Sequence, residues 1–301
     1  MSEAAVLLLK CHFDINLGAQ NMRIIGVWLV LLSVPASACT LWGAAGDAVA
    51  GGGTLLAKNR DWRPDHTQSI RILTPKDGFR YVGLFADDGA EPGIKAGVNE
   101  QGLAVVSAAA SSIPKKIRNA QTDARGVMSK ILRQYGSVAD VIVDAAILFQ
   151  PARANFLMLA DRHQILQVEI GLNGQYSLST QSNGVLAHTN HYLSQELAHC
   201  NQLQGESSHL RLARVSSLLA VDKKWRLDNF AAISRDQHDG ADNSLWRHGK
   251  EYTLASWQIA LPAQGAPQLN LVLANPQQSE LKAQWTLDTE FWRQNAAVLL
   301  P

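Results

Sequence analysis

From residue 39 onward the apolar positions fall in short runs broken by Gly, Pro and Asp, the pattern of a strand-rich domain. CTLWGAAG, TLLAKNRD, SIRILTP and FRYVGLFA each read as a strand. GIKAGVNEQGLAVVSAAA reads as two strands joined by the turn Asn99-Glu100-Gln101-Gly102. The period then changes. One helix is expected to open at Thr122 or Asp123 and run towards Tyr135, and a second to open at Ser137 and run to about Phe149, stopped by Pro151. Strands return at NFLMLAD, QILQVEI, QYSLST and GVLAHTNH. A helix over about Ser208 to Val221 is expected to carry Leu210, Ala213, Leu218 and Leu219 on one side, and a shorter one is expected around Leu227 to Ile233. YTLASWQIAL, QLNLVLA and AQWTL close the chain as strands. Blocks of strands alternating with blocks of helices imply two sheets with helical layers packed outside them. No Pro/Gly/Ser-rich linker divides residues 39–301, which read as a single domain.

The first 38 residues are of another kind. Met22-Arg23 precedes the apolar run IIGVWLVLLSV, followed by Pro35 and then Ala36-Ser37-Ala38. A short positive region, an apolar stretch, a helix breaker and an A-x-A site make a secretory signal peptide over 22–38, too short for a stable membrane span. Residues 1–21 place Glu3, Lys10 and Asp14 ahead of it, so translation from Met22 would give a more ordinary signal. The domain is therefore expected to be exported to the periplasm or beyond, with signal peptidase as its maturation partner.

Composition adds mainly exclusions. A formal net charge of +1 gives no electrostatic reason to expect nucleic acid as a partner. Of the cysteines Cys11, Cys39 and Cys200, cleavage after Ala38 removes the first, and the remaining pair makes no disulfide framework. A homo-oligomer is compatible with the sequence. His188, His191 and His199 lack a zinc spacing, Asp236, His238, Asp239 and Asp242 lack the ligand positions of a calcium loop, and Gly51-Gly52-Gly53 has no lysine for a phosphate cradle. No metal or organic cofactor is expected.

Cleavage after Ala38 would make Cys39 the first residue. A thiol attacks as thiolate, and an N-terminal residue carries its own base, because an α-amine titrates near 8. Nucleophile and base are then one residue, as in N-terminal threonine enzymes. Two other readings compete. Cys39 could be an inert buried thiol, or, since Ala36-Ser37-Ala38-Cys39 passes as a lipobox, the anchor of a lipid-modified binding or structural envelope protein. A lipidated cysteine is normally followed by a polar tether, whereas Thr40-Leu41-Trp42-Gly43 runs straight into structure.

About twenty residues on, at a strand end, stands Ala57-Lys58-Asn59-Arg60-Asp61-Trp62. Further along come Asn99-Glu100-Gln101-Gly102-Leu103, Thr189-Asn190-His191, and Asn243-Ser244-Leu245-Trp246-Arg247-His248 followed by Thr253-Leu254-Ala255-Ser256. This ordered set resembles the N-terminal nucleophile (Ntn) hydrolases of the penicillin V acylase and choloylglycine hydrolase group, and most of all the acyl-coenzyme A:6-aminopenicillanic acid acyltransferase family. Each segment alone is weak; their order across the domain carries the likeness.

The resemblance implies an α+β fold, the four-layer αββα sandwich, and a linear-amide C–N hydrolase or acyltransferase acting on a small N-acyl amide through an acyl-enzyme on Cys39. Lys58 stands where the family usually has arginine; a cation there favours the thiolate, and Arg60 could share the task. Asp61 would orient the α-amine or a polar group of the substrate. Asn190 would donate to the tetrahedral oxyanion, with a backbone N–H at or near Ala109 as second donor, and Arg247 would support the site. Asn99 reads as a turn residue. Trp42, Trp62, Tyr192 and Trp246 could line an acyl pocket or simply fill the core. Acyl-coenzyme A is scarce outside the cytoplasm, which favours hydrolysis over transfer.

Overall fold

A computed structural model describes residues 38–301, apart from 88–91, 122–124, 204, 222 and 295–296. The expected signal peptide, Cys11 and the start at Met22 lie outside the described residues, as do Thr122 and Asp123.

In chain order the elements are β1 (Cys39–Ala45), β2 (Thr54–Trp62), β3 (Gln68–Leu73), β4 (Tyr81–Ala86), β5 (Gly93–Asn99) and β6 (Ala104–Ala109). There follow α1 (Lys115–Ala120), α2 (Val127–Gln134), α3 (Val138–Val143) and α4 (Ala145–Phe149). Then come β7 (Asn155–Ala160), β8 (Ile165–Ile170), β9 (Tyr176–Gln181), β10 (Gly184–His188), α5 (Glu206–Leu219), α6 (Leu227–Ser234) and α7 (Gly240–Asn243). The chain ends with β11 (Tyr252–Leu261), β12 (Gln268–Leu273), β13 (Leu281–Thr286), α8 (Thr289–Trp292) and β14 (Val298–Leu300). Two antiparallel sheets result. One has six strands in the order β10-β1-β2-β11-β12-β13; the other has eight in the order β14-β3-β4-β5-β6-β7-β8-β9.

Three apolar clusters define the layers. Leu41, Leu56, Trp257 and Leu271 of the six-stranded sheet meet Val82, Val98, Val106 and Met158 of the eight-stranded one. The outer face of the eight-stranded sheet carries Leu157, Leu159 and Val168 against Met128, Ile131 and Leu132 of α2 and Val141 and Leu148 of α3 and α4. The outer face of the six-stranded sheet carries Trp42, Ala44, Leu55 and Ala57 against Val215 and Leu219 of α5 and Phe230 and Ile233 of α6. This is a helix–sheet–sheet–helix sandwich. It explains why β2 is buried along nearly its whole length, since both its faces are covered.

Local chemistry accounts for the joints. Asn99 closes the β5–β6 hairpin as a turn residue: its Oδ1 accepts from the N–H groups of Gln101 at 3.1 Å and Leu103 at 3.0 Å, and Gly102 takes φ 85°. Ser137 caps α3, its Oγ accepting from the N–H of Asp140 at 3.1 Å. The helix expected over Ser137–Phe149 is two helices broken at Asp144. Helices α1, α7 and α8 are too short to show a period in the sequence and were not anticipated. In α5 the buried residues are Ser208, Arg211, Val215 and Leu219, whereas Leu210 is exposed. Of the expected side, Leu219 is buried and Leu218 packs against the same cluster, while Ala213 is exposed as well. Positions 208, 211, 215 and 219 form one i, i+3, i+7, i+11 stripe, and the helix turns it to the sheet although it contains an arginine.

Candidate active site

Cys39 opens β1 and pairs across the hairpin with Arg60 of β2. Strand alternation then decides which side chains share its face. Cys39 and Leu41 point between the sheets, and Trp42 and Ala44 towards the helices. On β2, Lys58, Arg60 and Trp62 join Cys39 in lining a cavity of about 280 Å³ between the sheets. Asn59 points the other way, its Nδ2 donating to the carbonyls of Ser234 at 2.9 Å and Leu245 at 2.7 Å.

Lys58 is fully buried. Its ammonium donates to the Ser107 carbonyl and hydrogen-bonds the Cys39 side chain. Burial holds the Lys58 ammonium below its usual range, and proximity to Cys39 opposes that shift. The backbone N of Cys39 donates to Asn190 Oδ1 at 2.9 Å. Asn190 Nδ2 donates to the Ala109 carbonyl at 2.9 Å. An amide nitrogen has two hydrogens, so one is engaged at Ala109 and one remains for a ligand. Ala109 itself lines the cavity.

Asn190 sits on a braced loop just past β10. Its own N–H donates to Ser208 Oγ at 2.9 Å, and the same hydroxyl meets His191 Nδ1 at 2.8 Å. Before it, His188 Nε2 lies 2.7 Å from Glu169 Oε1. After it, the N–H groups of Leu193 and Ser194 donate to the two Glu169 oxygens at 2.7 and 3.0 Å. These bonds hold Glu169 below the usual carboxylate range against its burial, and burial lowers His191 to about 4. His188 and His191 thus brace the loop, which the sequence could not show.

Arg211 was missed. Fully buried, it donates to the Cys39 carbonyl and to Thr40 Oγ1 at 2.8 Å each, and to Asn190 Oδ1 at 2.9 Å. One guanidinium therefore ties the Cys39 backbone to Asn190. Burial lowers Arg211 to about 10, with Asp61 pulling the other way, so it is a cation at neutral pH. The available signal was its place in the i, i+3, i+7 stripe of α5: an arginine on the buried face of a helix needs a partner.

Asp61 is also fully buried. Its Oδ1 accepts from Thr253 Oγ1 at 2.7 Å, and among the described residues its Oδ2 has no hydrogen-bond partner. Burial raises its proton affinity, opposed first by Arg247 and then by Arg211. Arg247 pairs with Glu251, whose carboxyl burial pushes up to about 7. Arg247 thus supports Asp61 at one remove from the cavity.

Of the aromatic candidates only Trp62 lines the cavity, with the Arg60 guanidinium 5.5 Å from its ring centroid. Trp42, three residues from Cys39 on the same strand, faces the helices and packs 6.1 Å from Phe230. Trp246 lies under the Arg235 guanidinium at 3.6 Å. Tyr192 donates to the Ile170 carbonyl at 2.8 Å and sets its ring edge against Phe156. These three belong to the packing and not to the cavity wall.

The sandwich, with a cysteine leading the first strand of one sheet, is the fold of the Ntn hydrolases. It is shared by the Caenorhabditis elegans ortholog of N-acylethanolamine-hydrolyzing acid amidase, at 11% identity and TM-score 0.55 over 81% of this chain and 100% of that one. A variant of conjugated bile acid hydrolase from Clostridium perfringens shares it at 15% identity and TM-score 0.52 over 82% of this chain and 97% of that one. No significant match to a curated protein was found. The profile described as "Acyl-coenzyme A:6-aminopenicillanic acid acyl-transferase" matches residues 49–278, and the chain belongs to that family. Membership of that acyltransferase family makes it an enzyme, and its fold is shared with amide hydrolases.

Proposed function

We propose that this enzyme is an exported amidase that cleaves the C–N bond of small N-acyl amides with Cys39 as an N-terminal nucleophile. The observation that carries the reading is the placement of Cys39: side chain on the Lys58 ammonium at the wall of a cavity, and backbone nitrogen on Asn190.

Removal of residues 1–38 turns the Cys39 N–H into an α-amine. Asn190 Oδ1 already accepts from that nitrogen, and the unpartnered Asp61 Oδ2 is available as an acceptor on the helix side. The amine takes the thiol proton and Sγ adds to the substrate carbonyl carbon. The second Nδ2 hydrogen of Asn190 supports the resulting oxyanion, with a backbone N–H near Ala109 as partner. The tetrahedral adduct collapses as the amine delivers its proton to the leaving nitrogen, giving a thioester. Water, activated by the same amine, then releases the acid and frees the thiol. Arg211 keeps Cys39 and Asn190 in register throughout.

Mass spectrometry of protein recovered from the periplasm or medium tests the first step. A mature chain beginning with an unmodified Cys39 is expected. A start at another residue removes the base from the mechanism, and a diacylglyceryl group on Cys39 would show an anchor instead.

A further inference from the structure

A row of buried charges leads from Glu251 to the backbone nitrogen of Cys39. Glu251, just before β11, hydrogen-bonds the Arg247 guanidinium, and both are buried. The Arg247 N–H donates to Thr253 Oγ1 at 2.8 Å, and that hydroxyl donates to Asp61 Oδ1 at 2.7 Å. Asp61 feels the cations of both Arg247 and Arg211. Arg211 donates to Asn190 Oδ1 at 2.9 Å, and the same oxygen accepts from the Cys39 nitrogen. Glu251, Arg247, Asp61 and Arg211 thus alternate in sign up to the atom that holds the Cys39 nitrogen.

Fully ionised, this row is neutral. Glu251 is its open end. Among the described residues Arg247 is its hydrogen-bond partner, and Asp61 opposes its charge, so burial pushes its carboxyl up to about 7. The row is otherwise self-contained. Lys58 acts on Asp61 from the cavity side of β2, and Arg211 acts on Glu251 from α5. Asp242 of α7 accepts from the Lys250 N–H at 2.7 Å, and His248, Lys250 and Tyr252, beside Glu251 in sequence, are exposed. Removal of residues 1–38 would add one more titrating group to this row, the Cys39 α-amine.

We propose that Glu251 is a positioning residue whose charge balances the row beside Cys39 and thereby sets the pH at which the Cys39 α-amine becomes a base. The proposal rests on the reading of Cys39 as the mature N-terminus and nucleophile. In a low-dielectric surrounding one unit of charge acts on a titrating neighbour without touching it. Without the Glu251 carboxylate the row carries a surplus positive charge, which disfavours an ammonium at Cys39 and frees the amine at lower pH. Without the Arg247 guanidinium the surplus is negative, and the amine keeps its proton to higher pH. Without both, the balance returns. The same linkage run in reverse means that a protonated amine keeps Glu251 ionised.

The test uses Glu251→Gln, Arg247→Gln and the double variant, in which glutamine preserves an acceptor at 251 and a donor at 247. The acid limb of kcat/KM for an N-acyl p-nitroanilide reports the free enzyme's essential base. It should move down by about half a pH unit or more in Glu251→Gln, move up by a similar amount in Arg247→Gln, and lie near wild type in the double variant. A purely structural brace would lower kcat in all three, most in the double variant, and leave the limb in place. A limb that stays, or that moves the same way in both single variants, overturns the proposal. Should one single variant fail to fold, the other decides against the double: a shift that the double variant does not cancel overturns it.

A second measurement needs no turnover. A chain that begins at residue 39 and carries Cys39→Ala keeps the α-amine and lacks the thiol. Its amine is titrated by the pH dependence of acetic anhydride labelling, read on the N-terminal peptide by mass spectrometry. The midpoint should fall when Glu251→Gln is added and rise when Arg247→Gln is added. Identical midpoints overturn the linkage whatever the enzyme hydrolyses. Undiminished turnover in Cys39→Ala would instead sink the nucleophile and leave the measured linkage standing.

Discussion

Two groups of charges surround Cys39, and they are built differently. Towards the helices lie Asp61, Arg211, Arg247 and Glu251, two of each sign, all buried and coupled to one another. Towards the cavity lie Lys95, Arg118, Arg125 and Arg153, all of one sign and in part open to water. The first group is nearly complete within the protein. Its energetics follow the rule for buried pairs: each member is costly to desolvate, and removing one strands the others. The second group is partly solvated and contributes little to stability. Substitutions in the first group should therefore damage fold and catalysis together. Substitutions in the second should leave the fold nearly unchanged.

Arg211→Met should have the largest effect. It leaves the Cys39 carbonyl, Asn190 Oδ1 and Asp61 without their shared cation, so a loss of about 3–5 kcal/mol in unfolding free energy is expected together with loss of turnover. Arg211→Lys keeps the charge but replaces the planar fork with a single compact ammonium that does not span the separated acceptors, and should fall between. Wild-type thermal stability in Arg211→Met would erase the distinction between the two groups. Asn190→Ala should cut kcat by roughly 100- to 1000-fold. Because its amide also joins Cys39, Ala109 and Arg211, a further cost of about 1–3 kcal/mol in stability is expected, measurable by denaturant titration.

The third effect is a pH dependence. His191 is held neutral by burial, with its value lowered to about 4. A lowered histidine contributes stability that is present above its unfolded value, near 6.5, and is lost as pH falls towards 4. Thermal melts between pH 7 and 4 should show a decline of a few degrees that is flattened in His191→Gln; identical slopes would remove His191 from the brace. Smallest of all, Arg125→Gln and Arg153→Gln should leave the melting temperature within about 2 °C of wild type. A large drop would move them into the first group.

How much of this was legible in the sequence depended on where each interaction is encoded. The strands and the Asn99 turn follow from local alternation and turn chemistry, whereas the four-layer sandwich follows from the resemblance to the family. The cluster Lys58 to Asp61 and the segment around Asn190 are short motifs, and their order along the chain pointed to the family. Arg211 is different: its partners Cys39 and Asn190 are distant in sequence, and α5 was read by its leucines, so its polar buried face was passed over. Trp42, open in the sequence between acyl pocket and core, is decided by a local rule. Three residues along a strand is an odd step, and it puts Trp42 and Cys39 on opposite faces. The second group is the least local feature, because Lys95, Arg118, Arg125 and Arg153 become neighbours only when β5, α1, α2 and β7 are packed.

The most direct measurement is the acid-quenched reaction of mature enzyme with an N-acyl p-nitroanilide, digested and analysed by peptide mass spectrometry. An acyl group on the N-terminal peptide at Cys39 is expected, formed in a burst with released amine. It should be absent in Cys39→Ala and nearly absent when one residue precedes Cys39. An acyl group on Cys200 or any other side chain, or undiminished turnover in Cys39→Ala, would contradict a Cys39 nucleophile.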